Sequence, residues 1–205
     1  MDGLDWGAIE KAVRVREPFD HAIVRQALSP AAARAIPGEF PAIRQPGSFS
    51  LTDAPPGPAL ARVIADLTSD RFRDAMGRLF DADLAGRPTL VTLRGQCGPR
   101  DGRVHTDSAS KILSLLLYLN DGWIAPDGRL RLLGPGRDLA QPAVEVTPTL
   151  GALLAFRRSD RSWHGHTPYV GQRRVLQLNY VQSDRDTVAA TLRHRLSALG
   201  KRLVA

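Results

Sequence analysis

The chain has 205 residues, of which 43% are hydrophobic and 24% are charged, and this composition is typical of one soluble globular domain. No apolar run reaches the roughly 18 residues that a membrane-spanning helix requires, which excludes a membrane-embedded class. Cys97 is the only cysteine, so an intrachain disulfide is excluded as well.

The charge is strongly positive, with a formal net charge of +7 and a pI near 10.4. Such a balance raises the question of a nucleic-acid partner. The basic residues are nearly all arginines, however, and they are scattered without interleaved aromatics. A solvated basic surface is therefore favoured over nucleic-acid binding. An acidic N-terminal segment without an apolar signal core, together with a single cysteine, leads us to expect a cytoplasmic location, and nothing in the sequence specifies an oligomeric state.

The first part of the chain, residues 1–87, is predicted to be a helical support for the remainder. Helices are predicted over residues 5–15, 21–28, 31–35, 59–67 and 69–80, with a Pro- and Gly-rich loop at 38–58. Asp5, Ser29 and Ser69 are the predicted N-caps, and Pro30 is predicted at the first helical position after Ser29.

From residue 88 the pattern changes to short strands. Strands are predicted over residues 89–93, 111–119, 129–133, 144–146, 152–156 and 173–181, with a Gly-rich loop at 95–103. Close, regular spacing of short strands is typical of a sandwich or barrel. Residues 88–183 are predicted to be the catalytic core and 184–205 a C-terminal helix, centred on 187–203, all within one domain of 205 residues.

One constellation of polar residues stands out in the second part. His105 and Asp107 are two apart, so on an extended segment their side chains point to one face. His164, contributed by a distant strand, would complete a set of two histidines and one carboxylate, which holds Fe(II) and leaves coordination positions open. Arg173, nine residues further on, offers a planar cation that matches a carboxylate. Taken one at a time, each histidine is better explained as an ordinary polar residue in a loop or turn than as a metal ligand.

The order of motifs strengthens the metal interpretation. After His105-Thr106-Asp107 the chain continues with Tyr118-Leu119-Asn120, Leu130-Arg131-Leu132, Glu145-Val146-Thr147-Pro148, a Gly-led apolar strand at 151–156, His164 and Arg173. Over residues 89–182 the sequence resembles the 2-oxoglutarate- and Fe(II)-dependent oxygenases, in particular the prolyl-4-hydroxylase-like branch. The resemblance implies an α+β fold with a mainly β core. This core is a cupin-like double-stranded β-helix, or jelly roll, with the metal between its two sheets. The N-terminal helices would pack outside it, burying side chains such as Phe72, Met76 and Leu79, and a C-terminal helix would follow.

The resemblance also implies the chemistry. Fe(II), 2-oxoglutarate and O₂ would be the cofactor and cosubstrates, with ascorbate as a supporting reductant. His105, Asp107 and His164 would bind the metal, and Arg173 and Tyr118 would bind the far carboxylate of 2-oxoglutarate. Succinate and CO₂ would be released as an unactivated C–H bond of a small molecule or an amino-acid side chain is hydroxylated. Retention of the carboxylate at Asp107 favours hydroxylation over halogenation.

Two neighbouring pairs need a choice. His164 is preferred over His166 as a ligand because its spacing to Arg173 matches the family interval, and His166 is then expected to orient the ligand through a hydrogen bond. Arg173 is preferred over Arg174 because strand alternation places it with Val175, Gln177 and Asn179 on the more polar face. The family often has Ser where Val175 stands, and Gln177 is expected to substitute for its carboxylate contact.

The substrate is the least constrained part. The loops at 95–103 and 121–128 are expected to form its wall, and Arg94, Arg131 and Asn179 are candidate contacts, although each is also an ordinary polar strand residue. The sequence Pro126-Asp127-Gly128 departs from the Gly-Gly that the family often has before its Leu-Arg-Leu strand. The alternatives are a peptidyl or protein prolyl hydroxylase, a cupin-like metal-binding module without oxygenase activity, and a nucleic-acid repair enzyme.

Overall fold

The computed structural model describes residues 2–186. Its helices are α1 (Trp6–Glu10), α2 (Pro30–Glu39), α3 (Pro58–Leu67) and α4 (Asp70–Phe80). Its strands are β1 (His21–Val24), β2 (Thr89–Cys97), β3 (Lys111–Tyr118), β4 (Leu130–Leu132), β5 (Val144–Val146), β6 (Leu153–Arg157), β7 (His164–Gly165) and β8 (Gly171–Val181). The helix predicted over 187–203 lies outside the described residues.

The helix starts follow the predicted caps. The side chains of Asp5, Ser29 and Ser69 each accept a hydrogen bond from a backbone N–H in the first turn of α1, α2 and α4. The ends differ from the prediction, because α1 stops at Glu10 and α2 continues to Glu39. None of the helices within residues 2–186 has the length and apolar character needed to cross a membrane.

The helix predicted over residues 21–28 is wrong, because this segment begins with strand β1. β1 pairs antiparallel with β6, with His21 opposite Phe156 and Val24 opposite Leu153. The apolar run His-Ala-Ile-Val is short enough to satisfy either period, and its β-branched residues suit a strand. The segment forms a strand because β6, which is distant in sequence, offers it an edge for backbone hydrogen bonding.

Strand β2 extends through part of the predicted loop at 95–103. Its ladder with β8 continues past an irregularity between Arg94 and Gln96 and ends with Cys97 opposite Gly171. A Cβ atom at Gly95 would lie 2.6 Å from the Cβ of Ile43. Gly95 is therefore a strand residue at which another segment approaches closely, and not a turn.

The strands form two sheets. A five-stranded sheet has the order β1-β6-β3-β8-β2, a three-stranded sheet has the order β5-β4-β7, and every strand pairing within them is antiparallel. A small apolar core joins the two sheets and contains Tyr118, Leu130, Leu132, Val146, Leu154, Phe156 and Val175. The fold is thus mainly antiparallel β with a few helices.

The other face of the five-stranded sheet carries the helices. Phe72 and Met76 of α4 are fully buried in one cluster with Leu115, Leu117 and Leu178 of the sheet. The predicted packing of the first part against the larger sheet is observed, with Leu79 only partly buried. Burial of the helical layer leaves the opposite face of the same strands for the site.

Candidate active site

Two histidines that are 59 residues apart in sequence are direct partners in the structure. The backbone N–H of each donates to the carbonyl of the other, with both distances 3.0 Å, where His105 meets strand β7. Their ring centroids are 4.4 Å apart. A β-bridge therefore sets the separation of the two imidazoles.

Hydrogen bonds orient both rings in the same way. Nδ1 of His105 lies 2.8 Å from the carbonyl oxygen of Arg103, and Nδ1 of His164 lies 2.9 Å from that of Ser162. A carbonyl only accepts, so each Nδ1 carries the proton and each Nε2 keeps a lone pair. Burial lowers the pKa of His164 to about 4, which keeps this ring neutral near pH 7. Both Nε2 atoms are free to bind a metal.

Asp107 provides the acidic group beside these rings. It is buried, Nζ of Lys111 lies 2.8 Å from its Oδ1, and Oγ of Ser114 donates to its Oδ2. Burial raises the pKa of the Asp107 carboxyl, but Lys111, His164 and the Ser114 hydroxyl outweigh it and leave the pKa below its ordinary value. Asp107 is therefore held as a carboxylate.

The three side chains form one compact donor set. One ligand atom from each of His105, Asp107 and His164 lies within 4.8 Å of the others. Two imidazole nitrogens and one carboxylate are the donors that hold Fe(II) with open positions. The residues present therefore fit the metal that the sequence implies.

Lys111 and Ser114 are functional neighbours that the sequence reasoning missed. Ser114 interrupts an otherwise apolar strand, and that interruption was the available signal. It shares a strand face with Leu116 and Tyr118, so strand alternation places it toward the site.

A second polar pair lies deeper between the sheets. Arg173 is buried, its Nε donates to the carbonyl of Gly128 at 2.8 Å, and its Nη2 has no hydrogen-bond partner among residues 2–186. The hydroxyl of the fully buried Tyr118 likewise lacks a partner within that range, and the guanidinium carbon of Arg173 lies 5.2 Å from the Tyr118 ring centre. Burial raises the pKa of the Tyr118 phenol, partly offset by Arg173, so the phenol remains a donor.

Two buried donors without partners are costly, and they call for an acceptor. A carboxylate would accept from both the Arg173 guanidinium and the Tyr118 hydroxyl. The far carboxylate of 2-oxoglutarate fits this pair.

A cavity of about 120 Å³ connects the metal donors with Arg173, and Tyr118 is not among its lining residues. It is lined by Arg94, Asp101, Gly102, His105, Asp107, Leu116, Leu130, Phe156, His164, Gly165, His166, Arg173, Val175 and Gln177. The donor set, Arg173, Gln177 and Arg94 thus line one cavity.

The two faces of β8 divide as strand alternation requires. Arg173, Val175 and Gln177 line the cavity. Arg174 instead reaches the helical layer, where its Nη1 donates to the carbonyl of Pro37 and its guanidinium lies over the Phe40 ring.

His166 lines the cavity but does not have the expected role. Its Nδ1 lies 2.8 Å from the carbonyl of Thr167, and its Nε2 lies 3.8 Å from Sγ of Cys97. Within the described part of the chain none of its hydrogen bonds reaches His164, which Ser162 orients instead. Burial, reinforced by the charge of Arg173, lowers the pKa of His166 to about 4, so it presents a neutral ring.

The three candidate substrate contacts, Arg94, Asn179 and Arg131, differ in their position relative to the cavity. Arg94 lines the cavity and its Nη2 lies 3.1 Å from Asp101. Asn179 is buried on the same face of β8 beside Gln177, but it is not among the residues that line the cavity.

Arg131 corrects the sequence reasoning, because it faces away from the cavity. Leu130 and Leu132 point into the core between the sheets, so alternation turns Arg131 outward, where its Nε lies 2.8 Å from Glu145. We therefore remove Arg131 from the candidate substrate contacts.

Known proteins share both the sequence pattern and the fold. Residues 96–181 match the sequence model of the 2OG-Fe(II) oxygenase superfamily. No curated protein matches the chain.

Three solved prolyl hydroxylases have a similar fold. A Pseudomonas putida prolyl-4-hydroxylase is 21% identical with a TM-score of 0.55, over 80% of this chain and 92% of that one. A Trichoplax adhaerens prolyl hydroxylase, in complex with a fragment of the hypoxia inducible factor oxygen degradation domain, is 19% identical with a TM-score of 0.57, over 82% and 86%. A Phytophthora capsici prolyl 4-hydroxylase is 20% identical with a TM-score of 0.55, over 89% and 68%.

The matched segment contains the whole donor set together with Tyr118 and Arg173, so the sequence model of the 2OG-Fe(II) oxygenase superfamily and the geometry of the site agree. The resemblance predicted from the sequence is confirmed. The protein is a dioxygenase that uses Fe(II), 2-oxoglutarate and O₂. This assignment argues against a metal-binding module without oxygenase activity.

Proposed function

We propose that the protein hydroxylates an unactivated C–H bond of a small molecule or an amino-acid side chain, within a single domain whose two sheets form a double-stranded β-helix. His105, Asp107 and His164 bind the iron, and Arg173 and Tyr118 bind 2-oxoglutarate. The observation that carries the proposal is the pair of unpartnered buried donors, Arg173 Nη2 and Tyr118 Oη: Arg173 lines the cavity of the metal donors, and its guanidinium carbon lies 5.2 Å from the Tyr118 ring centre.

The bound iron and 2-oxoglutarate supply the O₂ chemistry, and the chain supplies orientation and enclosure. The carbonyls of Arg103 and Ser162 hold each histidine with its Nε2 toward the metal position. Lys111 and Ser114 hold the Asp107 carboxylate in one orientation. Apolar cavity walls, including Leu116, Leu130, Phe156 and Val175, limit the access of water.

Gln177 and Arg94 have the remaining polar positions in the cavity. Gln177 is half-buried and lies two residues beyond Val175, on the same face of β8. It replaces the carboxylate contact that a Ser at position 175 would make. Arg94 is paired with Asp101 and partly exposed, so it is the remaining candidate to meet the substrate.

The first experiment is an anaerobic titration of the protein with Fe(II) and then 2-oxoglutarate. A weak visible charge-transfer band is expected when both are present. His105→Ala should remove the band and abolish succinate formation, whereas His21→Asn, which changes a histidine outside the cavity, should retain both. A wild-type protein that gives no band, or a fully active His105→Ala variant, would contradict the proposal.

The second candidate is a peptidyl or protein prolyl hydroxylase. It is favoured by the fold shared with three prolyl hydroxylases, one of them solved with a peptide. Mass spectrometry after incubation with proline-containing peptides and, in parallel, with free amino acids separates the two candidates. Gain of one oxygen atom on peptidyl proline alone would establish the second candidate.

A further inference from the structure

We propose that Trp123 and Tyr169, which we call the aromatic clasp, position Arg173 to bind the cosubstrate. The inference rests on the proposed function, since it concerns how the 2-oxoglutarate arginine is held. It involves no direct contact of either ring with 2-oxoglutarate, so both are positioning residues.

The clasp joins two loops that are distant in sequence. Trp123 follows β3 and Tyr169 precedes β8, and their ring centroids lie 4.8 Å apart with the planes inclined by 50°. Such an inclined pair is a favourable arrangement for two aromatic rings. The indole Nε1 also donates to the carbonyl of Asp127 at 3.2 Å, which closes the first loop on itself.

Gly128 lies against both rings. Its φ is +73°, and a Cβ atom there would lie 2.9 Å from Cζ2 of Trp123 and 3.0 Å from Cβ of Tyr169. Only glycine combines this backbone conformation with so close an approach. The clasp therefore fixes the position of the Gly128 peptide.

The Gly128 carbonyl is the acceptor for Nε of Arg173, at 2.8 Å and in buried surroundings. On the other side, a Cβ atom at Gly171 would lie 3.1 Å from the hydroxyl oxygen of Tyr169, so this ring also packs over the start of β8. The clasp thus contacts both the acceptor of the Arg173 hydrogen bond and the strand that carries Arg173.

Apart from the clasp, Nε of Arg129 donates to the carbonyl of Ala125 in the first loop at 3.2 Å, and most of the loop is exposed. Ile124 is 99% exposed, and the neighbouring residues Gly122, Pro126 and Asp127 are also exposed. Gly128 itself is buried, and the two clasp rings are among the side chains that cover it. A fixed Nε bond leaves Nη2 of Arg173 as the donor directed to a ligand. Loss of the clasp should weaken 2-oxoglutarate binding and leave the metal donors unchanged.

The test measures 2-oxoglutarate binding to the Mn(II)-loaded protein by calorimetry, together with the Mn(II) affinity of each variant. Trp123→Ala should raise the Kd for 2-oxoglutarate about tenfold, against about a hundredfold for Arg173→Met, because it loosens one hydrogen bond and does not remove the cation. Trp123→Phe should recover most of the affinity, and Gly128→Ala should reproduce the loss by forcing the rings apart.

Trp6→Ala is the matched control, because it removes a tryptophan that packs under Arg71 in the helical layer. It should leave both affinities unchanged. In turnover, Trp123→Ala should raise KM for 2-oxoglutarate with kcat nearly retained.

Three outcomes would overturn the inference. In the first, Trp123→Ala and Gly128→Ala bind 2-oxoglutarate as the wild type does while Arg173→Met does not, which leaves the proposed function standing. In the second, both clasp variants lose Mn(II) and 2-oxoglutarate affinity equally, which indicates a merely structural role. In the third, the wild type itself binds no 2-oxoglutarate, which overturns the proposed function as well.

Discussion

The two faces of the five-stranded sheet are made of alternate residues on the same strands, yet they serve opposite purposes. One face, with Leu178 and Tyr180 of β8, is sealed against the helices. The other, with Arg173 and Gln177 of the same strand, lines the cavity. Burial is almost as complete on both faces, so the difference is in what the buried groups bond to.

On the helical face nearly every buried side chain is apolar and meets another apolar side chain. Unpartnered buried atoms occur on both sides within residues 2–186: Tyr180 Oη and Arg73 Nε on the helical side, and Tyr118 Oη and Arg173 Nη2 on the other, where Arg173 also lines the cavity. A protein that keeps unsatisfied donors in its interior gives up stability for binding capacity. Stability and cosubstrate affinity should therefore respond to mutations on different faces.

The largest effect is expected on the helical face. Leu178→Ala removes a fully buried side chain and should cost about 3 kcal/mol of unfolding free energy, by lost burial and the cavity that remains. Urea denaturation measures this loss. The Kd of the folded variant for 2-oxoglutarate should stay within about twofold of the wild type. A large rise in that Kd would mean that the two faces are not independent.

Arg173→Met is the counterpart on the cavity face. Loss of the cation should weaken 2-oxoglutarate binding by about 2 to 3 kcal/mol, whereas stability should be unchanged or slightly higher because a buried charge is gone. Calorimetry and urea denaturation give the two quantities. Arg174→Met, one residue along and on the other face, should leave 2-oxoglutarate affinity unchanged. Equal losses of 2-oxoglutarate affinity in the two variants would contradict the assignment of the two faces to different functions.

Two buried tyrosines, one on each side of the five-stranded sheet, allow the same substitution to be compared between the two faces. Tyr118 and Tyr180 are both fully buried, and neither hydroxyl has a partner in the described part of the chain. Each change to Phe should raise stability by about 1 kcal/mol, because an unpaired buried hydroxyl is removed. Only Tyr118→Phe should weaken 2-oxoglutarate binding, by about tenfold. An equal affinity loss in Tyr180→Phe would contradict the division of roles.

The smallest effect is expected on the outer surface of the three-stranded sheet. Burial raises the pKa of Glu145, but Arg129 and Arg131 outweigh it and leave the pKa below 4.5. The ion pairs therefore stabilise the fold above pH 4.5, and this stabilisation is lost as the pH falls through the lower folded pKa.

Glu145→Gln should cost about 0.5 kcal/mol near pH 7, as expected for a partly exposed pair. Thermal unfolding of the two proteins should converge as the pH falls below 4.5. A stability difference between the two proteins that grows as the pH falls would show that the ion pairs do not lower the pKa of Glu145.

Strand alternation explains why so much of the site was predictable. The choice of Arg173 over Arg174 needs only the period of two and the polarity of neighbouring residues, both of which are local. The same rule, applied to Leu130 and Leu132, would have turned Arg131 outward, so that error lay in not using a pattern that was present.

Other features depend on contacts that no local pattern contains. β1 is a strand because β6 offers it an edge, and Gly95 is a strand residue because Ile43 packs against it. Gly128 lies in the predicted loop at 121–128, and only the approach of Tyr169 from another loop makes it the residue on which the Arg173 hydrogen bond depends. These relations are long-range, and the folded chain is needed to find them.

The bridge between His105 and His164 has a consequence for how the chain tolerates change. Mutual backbone hydrogen bonds set the spacing of the two rings. The length of the chain between the two histidines therefore does not affect the arrangement of the metal donors. The exposed turn around Gly136, between β4 and β5, has open space around it. It is therefore a permissive position for grafting an epitope or a fluorescent reporter. Lengthening that turn should alter the reach of the loop and leave the iron environment as it is.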